Sequence, residues 1–132
     1  MVSFPESTLQ AIAQRATHHL VGLLREGLHH RPEDVDLLTE LGVLLTTAGQ
    51  YQEGLEIDQR LVRLCPEDPI VHYNLGCSLA LLGRVDEAFR ALEAALDLGY
   101  EDLHLLHTDP DMANVRKDPR FGAFLERWTP RR

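Results

Sequence analysis

A repeat of 34 residues is the feature that most constrains the fold of this chain of 132 residues. Residues 41–55 align with residues 75–89 at that offset. The same spacing separates three pairs of identical residues: Pro32 and Pro66, Gly42 and Gly76, and Gly49 and Gly83. Similarity at a fixed spacing of roughly 20–50 residues is typical of proteins that stack one small structural unit. The chain is therefore expected to be an array of such units.

Each unit is predicted to be a pair of antiparallel helices. Gly49 and Gly83 mark the turns within the two units, and Pro66 ends a helix because proline cannot continue it. Asp68 followed by Pro69 is a favourable N-cap and first helical position. The predicted helices are 35–48 and 52–64 in the first unit, and 69–82 and 85–98 in the second. Leucine and alanine dominate the apolar residues, which favours helix over strand.

Gly42 and Gly76 occupy the same place in the two units, in the middle of a predicted helix. Glycine at such a position costs about 0.5–1 kcal/mol relative to alanine. Its recurrence indicates a close contact between helices, since only a missing side chain lets a neighbouring backbone approach.

On these residues the chain resembles the tetratricopeptide repeat family. The matching residues are Leu41-Gly42, Leu75-Gly76, Gly49, Gly83, Tyr51, Ala88, Phe89, Ala95 and Pro66. The resemblance implies an all-α fold, a right-handed α-solenoid of stacked antiparallel helix pairs, with about three repeats plus C-terminal capping helices. The chain departs from the family at packing positions. Leu38 and His72 stand where a large aromatic residue is usual early in the first helix of a repeat, and Gly54 stands at the position of the usual small residue early in the second helix.

Residues 1–132 are expected to form a single tetratricopeptide-like domain in which 35–68 and 69–102 are the clear repeats. Residues 1–34 are predicted to be a degenerate N-terminal repeat, either a helix pair or one long helix up to Leu28. Residues 103–132 are predicted to be a C-terminal cap, a lid over the last helix pair. Its Asp109-Pro110-Asp111-Met112-Ala113 and Asp118-Pro119-Arg120-Phe121 resemble the terminator that follows the last repeat in many bacterial tetratricopeptide proteins.

The resemblance also implies a concave groove lined by the first helix of each repeat. The groove positions are Asp36, Thr39, Val43, Thr46 and Thr47 in the first repeat, and Ile70, Tyr73, Asn74, Cys77, Ala80 and Leu81 in the second. Family members that hold a C-terminal carboxylate use Lys, Arg and Asn here, and only Asn74 matches them. Segment 35–68 has seven acidic residues and two arginines, which favours a basic or apolar partner.

Helix 69–82 is apolar on nearly all sides and is expected to be covered on both faces. The cover is the lid, a partner peptide or helix, or a second copy of the chain.

The overall composition excludes several classes of partner. The chain has 21 acidic and 13 basic residues, a formal net charge of −8, and lacks the positive charge that binds a phosphate backbone. Its longest apolar runs are far shorter than the roughly 20 residues of a membrane helix, and its first residues do not resemble a signal peptide. Cys65 and Cys77 have no motif spacing and are expected to be reduced thiols. A soluble, cytoplasmic protein with neither a nucleic-acid nor a membrane partner is expected.

Seven histidines raise the question of metal binding. They include the pairs His18-His19 and His29-His30, and His104 and His107 precede Asp109 and Asp111. Established metal motifs are absent from the sequence, so no metal or other cofactor is expected. No catalytic residues are expected either, because Cys77 lies within a helix among apolar neighbours that raise the pKa of a thiol.

The sequence therefore predicts a non-enzymatic interaction module that binds a peptide or helix of another protein in its groove. The alternative is a self-associating scaffold, such as a homodimer, whose groove is filled by its own C-terminal segment. A His-rich metal-binding protein is the third hypothesis.

Overall fold

The computed structural model describes residues 3–129, and all regular elements among them are helical. The helices are α1 (Glu6–His30), α2 (Val35–Thr47), α3 (Tyr51–Leu64), α4 (Pro69–Leu81), α5 (Val85–Asp97), α6 (Leu103–Thr108), α7 (Ala113–Arg116) and α8 (Phe121–Trp128), and a 3₁₀ turn (Pro110–Met112) lies between α6 and α7. The predicted all-α class and the two helix–turn–helix units are confirmed, with helix ends within one residue of those expected. The outer ends of segments 1–34 and 103–132 lie outside the described residues.

The chain divides into two compact units, Met1–Ile57 and Asp58–Arg132, with the division inside α3. The N-terminal unit contains α1, α2 and the start of α3. The C-terminal unit contains the end of α3 and all the helices that follow it.

Aspartates and glycines set the helix ends, as the sequence predicts for Asp68, Gly49 and Gly83. The side chains of Asp34 and Asp68 accept hydrogen bonds from backbone N–H groups in the first turns of α2 and α4. After α2, α4 and α5 the chain turns through Gly49, Gly83 and Gly99, whose φ angles are 81°, 75° and 98°. Glycine adopts this left-handed conformation without a steric penalty, so the same compact turn ends each helix.

In the N-terminal unit α1 is one continuous helix of 25 residues, the second of the two predicted alternatives. Its C-terminal half packs on α2, where Val21 and Leu28 are buried. Two apolar residues of its N-terminal half, Leu9 and Ile12, stay about half exposed. The apolar side chains of this half therefore have no cover within the described residues.

In the C-terminal unit α4 and α5 form a tightly packed antiparallel pair. The two helices approach closely at Gly76, where an added Cβ would lie 3.2 Å from two side-chain atoms of Leu92. This geometry agrees with the close approach that the recurring glycine predicts. The 3₁₀ turn and α7 pack against α4, and α7 also contacts α5.

Helix α8 lies against α5. The rings of Phe124 and Phe89 meet edge to face with their centroids 5.2 Å apart. Two ion pairs flank this contact, Arg120–Asp86 at 2.7 Å and Arg127–Glu93 at 2.8 Å. Residues 110–128 therefore contact both helices of the last repeat.

The Gly76 contact leads to a stability prediction. Gly76→Val is expected to lower the free energy of unfolding by about 1–3 kcal/mol, because its extra carbons overlap Leu92 in a packed interior. Gly122→Ala in α8 is the control, since nothing lies within 4 Å of the added carbon. Urea denaturation followed by circular dichroism measures both variants. Equal stabilities of the two variants would show that the α4–α5 contact is looser than described.

Candidate functional site

The groove positions of the two repeats, which correspond at an offset of 34 residues, differ in exposure. Val43 on α2 is 52% exposed, whereas its counterpart Cys77 on α4 is 7% exposed. Thr39 and Thr46 are partly exposed, whereas their counterparts Tyr73 and Ala80 are buried. The predicted binding face is therefore open on α2 and largely closed on α4.

The remaining predicted positions follow this division with one exception. Asp36 and Thr47 on α2 are exposed, and Asn74 and Leu81 on α4 are half-buried. The exception is Ile70 near the start of α4, which is 58% exposed.

Tyr73 is covered by the chain's own residues 100–116, which we call the closing segment. Its hydroxyl donates a hydrogen bond to Oδ2 of Asp109 at 2.7 Å. Its ring stacks on that of Tyr100, with centroids 4.6 Å apart and planes 6° from parallel. A residue that the sequence assigns to partner binding thus makes an intramolecular contact.

Further hydrogen bonds hold the closing segment against α4. The Asn114 side chain donates to the backbone oxygen of Ala80 at 2.7 Å, and the thiol of Cys77 lies 3.8 Å from Oδ2 of Asp109. Within the segment, Arg116 donates to the carbonyl oxygens of Leu106 at 3.0 Å and of Asp109 at 2.6 Å. Asp109 also caps the 3₁₀ turn, so one carboxylate links this turn to α4.

Burial favours the protonated forms of one thiol and two hydroxyls in this contact, those of Cys77, Tyr73 and Tyr100. It raises the pKa of the Cys77 thiol, an effect that the Asp109 carboxylate reinforces, and it raises the pKa of the Tyr73 hydroxyl. Burial also raises the pKa of Tyr100 to about 12. The predicted rise in the pKa of Cys77 is confirmed, and a protonated, covered thiol is a poor nucleophile.

The side chains of Cys77, Asp109 and Asp111 offer ligand atoms within 4.8 Å of one another. This is the group of potential metal ligands found among residues 3–129, and it contains none of the histidines considered from the sequence. Asp109 accepts a hydrogen bond from the Tyr73 hydroxyl, and the Cys77 thiol lies against the same carboxylate oxygen. The arrangement functions as a hydrogen-bonded link between the closing segment and α4.

The open face of α2 is formed by the apolar side chain of Val43, by three threonines, and by the carboxylate of Asp36 near the start of the helix. The hydroxyls of Thr39, Thr46 and Thr47 each donate to the carbonyl oxygen four residues earlier, at 2.7–3.0 Å. Their hydrogens are thereby used within the helix, so the face presents methyl groups and acceptor oxygens. Val43 lies among them, and Asp36 is exposed at the start of the helix.

Sequence reasoning missed a buried polar pair in the C-terminal unit. Asp58 of α3 is 5% exposed and accepts a hydrogen bond from the hydroxyl of Ser78 on α4 at 2.5 Å. Burial raises the pKa of the Asp58 carboxyl to about 6, although the Ser78 hydrogen bond opposes the rise. Its signal in the sequence is an aspartate on the face of α3 that also carries the buried Leu55 and Leu61.

The family model of the tetratricopeptide repeat matches residues 69–102, the α4–α5 pair and the residues that follow it. Residues 69–102 are therefore a tetratricopeptide repeat, as the resemblance implies. Within residues 3–129 the structure contains no helix that is long and apolar enough to span a membrane.

Three curated proteins are similar to this chain over 80–90 residues. The chain is 32% identical over 90 residues to a chloroplastic protein of Arabidopsis thaliana, an alignment covering 66% of this chain and 27% of that protein. It is also 32% identical over 90 residues to the TPR repeat-containing protein YvcD of Bacillus subtilis (strain 168), covering 67% and 19%. The uncharacterized protein y4yS of Sinorhizobium fredii is 26% identical over 80 residues, covering 61% and 44%. The chain thus matches less than half the length of each relative.

Proposed function

We propose that this chain is a non-enzymatic interaction module that binds a peptide or helix of another protein on the open face of α2. Tetratricopeptide repeats generally mediate contacts between proteins, and the match of residues 69–102 to that repeat supports the proposal. The observation that supports the α2 face is the contrast between matched positions: Val43 is exposed, whereas Cys77 is covered by the closing segment.

The chemistry of this face defines the partner. Acceptor oxygens and the Asp36 carboxylate favour hydrogen-bond donors, and the methyl groups of Val43 and the threonines favour apolar side chains. The surrounding repeat, residues 35–68, is acidic. A segment that combines lysine or arginine with small apolar residues complements these features, whereas an acidic segment is repelled.

A peptide selection tests the proposal. Random displayed peptides selected on the immobilised protein should be enriched in basic and apolar residues and should shift the backbone NMR signals of α2. Val43→Asp should weaken their binding about tenfold or more, since it places a charge at the centre of the apolar contact. Leu98→Asp is the matched control, because Leu98 is an exposed apolar residue at the end of another helix.

Two results would contradict the proposal. One is a selection that enriches no peptide. The other is equal affinity of the selected peptides for wild type and Val43→Asp when circular dichroism shows that both are folded.

The self-associating scaffold is the second candidate, and the covered α4 face favours it over a partner bound there. The Tyr73–Asp109 hydrogen bond and the Tyr73–Tyr100 stack occupy the positions that a partner would use in this repeat. If the chain is such a scaffold, the peptide selection yields no binding peptide for wild type. The function then depends on contacts between copies of the chain.

A further inference from the structure

Helix α8 is attached to the C-terminal unit less deeply than the closing segment is. None of the residues of α8, all of which the structure describes, is buried. Its apolar side chains are partly exposed, namely those of Phe121, Phe124, Leu125 and Trp128. In the closing segment, by contrast, Leu106, Met112 and Val115 are completely buried. Helix α8 can therefore leave its position without removing these three side chains from the core.

Three features weaken the docking of α8. Its two ion pairs to α5 join side chains that are at least 38% exposed, where an ion pair adds little stability. The indole N–H of Trp128 is buried and has no hydrogen-bond partner among residues 3–129, which costs free energy in the docked state. Gly122 is exposed within the helix and lowers its helical propensity.

The surface of α5 beneath α8 includes Asp86, Phe89 and Glu93, which we call the α5 face. The guanidinium carbon of Arg120 lies 4.9 Å from the centroid of the Phe89 ring, and a nitrogen of the same group lies 2.7 Å from Asp86. Glu93 pairs with Arg127 at 2.8 Å. The two carboxylates lie seven residues apart, as do the two arginines, so the contact repeats after about two helical turns. The α5 face therefore places an aromatic ring between two acidic groups.

The apolar residues of α8 have the spacing of a helix that binds in a groove. Phe121 is followed by Phe124, Leu125 and Trp128 after three, four and seven residues. Amphipathic helices that dock on another protein commonly use anchors at this spacing. Within the chain itself, Phe124 meets Phe89 edge to face, and the arginines of α8 face the carboxylates of α5. The contacts of α8 thus define the ligand of the α5 face as a basic helix with large apolar anchors.

We propose that the α5 face is a second protein-binding surface, which α8 occupies as an autoinhibitory helix until a partner helix displaces it. The partner is an amphipathic helix with large apolar side chains at the spacing of α8 and two basic residues seven positions apart. Because α8 is tethered next to the face, it competes at a high effective concentration and weakens the binding of the partner. The α5 face includes no residue of the α2 face, so this proposal goes beyond the function proposed above.

A peptide of residues 117–129 is the probe, labelled with fluorescein and titrated with the full chain while its anisotropy is followed. Phe124→Asp in the chain should release α8, because it sets a charge against Phe89, and should tighten the binding of the peptide about tenfold or more. Ala123→Asp is the matched control: it adds the same charge at an exposed position on the opposite side of α8 and should bind the peptide like wild type. Equal affinities of the two variants for the peptide, or no binding by Phe124→Asp, would overturn the proposal.

Gly122→Ala shifts the equilibrium in the opposite direction without a disruptive charge. It should strengthen α8 and weaken the binding of the peptide about fivefold relative to wild type, since alanine is the better helix former. Amide hydrogen exchange measures the release itself: residues 121–128 should exchange faster in Phe124→Asp, whereas Leu106 and Met112 stay protected. Unchanged affinity of Gly122→Ala for the peptide would show that α8 does not compete for the α5 face.

Two further changes, each made in the Phe124→Asp chain, locate the bound peptide. Phe89→Ala should weaken the binding of the peptide about tenfold or more, because it removes the aromatic ring of the α5 face. Val43→Asp should leave this binding unchanged. The opposite pattern would place the peptide on the α2 face, which would contradict the proposal for α5 and support the function proposed above.

Discussion

Replacing Tyr73 by alanine is expected to detach the closing segment from α4 and to lower the free energy of unfolding by about 3–5 kcal/mol. The change removes a buried aromatic ring, its stack on Tyr100 and the hydrogen bond that Asp109 accepts. Asp109 then keeps a partly buried carboxylate beside Cys77 without its hydroxyl partner. Since this carboxylate links the 3₁₀ turn to α4, we expect the loss to spread through the segment.

Urea denaturation and amide hydrogen exchange measure the two parts of this prediction. Exchange in residues 103–116 should accelerate in Tyr73→Ala far more than exchange in α5. Tyr73→Phe is the matched control: it keeps the ring and the stack, loses only the hydrogen bond, and should cost about 1–2 kcal/mol. If exchange in the closing segment is the same in wild type and Tyr73→Ala, Tyr73 does not hold the segment in place.

The second large effect concerns the pH dependence of stability. The pKa of Asp58 is raised from 3.8 to about 6 in the folded chain, mainly by burial. The folded state therefore binds a proton more tightly than the unfolded state, and Asp58 lowers stability as the pH rises from about 4 to about 6. By linkage this loss amounts to about 3 kcal/mol and is complete above pH 6. The carboxylate is ionised at neutral pH, with Ser78 as its hydrogen-bond donor.

Asp58→Asn removes the titrating group and is expected to remove this loss. The stability of Asp58→Asn relative to wild type should rise by about 3 kcal/mol between pH 4 and pH 7, as measured by urea denaturation at each pH. Ser78→Ala should act in the opposite direction, because loss of the hydrogen bond that lowers the pKa of Asp58 shifts the fall in stability to higher pH. Parallel pH profiles for wild type and Asp58→Asn would contradict the prediction.

The helices could be predicted from the sequence because local rules define them. Asp34 and Asp68 satisfy the free N–H groups at helix starts, and Gly49 and Gly83 adopt the left-handed turn that ends the preceding helix. These requirements involve residues within one helical turn, so they appear directly in the sequence. The repeat spacing then identified the helix pairs, and Gly76 identified a close contact between helices.

The identity of the covering side chains could not be predicted in the same way. The pattern of α4 showed that it needs cover on both faces, but its contact with the closing segment joins Tyr73 to Asp109, 36 residues away. A groove position looks the same in the sequence whether a partner or the chain itself occupies it. The buried Asp58 and the uncovered half of α1 were missed for a related reason, since periodicity shows which face is apolar and not what lies against it.

Thiol labelling can measure the contrast between the open α2 face and the closed α4 face. In a Cys65→Ser background, a maleimide should modify the thiol introduced by Val43→Cys at least about a hundredfold faster than the thiol of Cys77. Both the cover by the closing segment and the raised pKa of Cys77 slow its reaction. Equal rates, or faster labelling of Cys77, would show that the closing segment does not occupy the α4 face and would contradict the assignment of partner binding to α2.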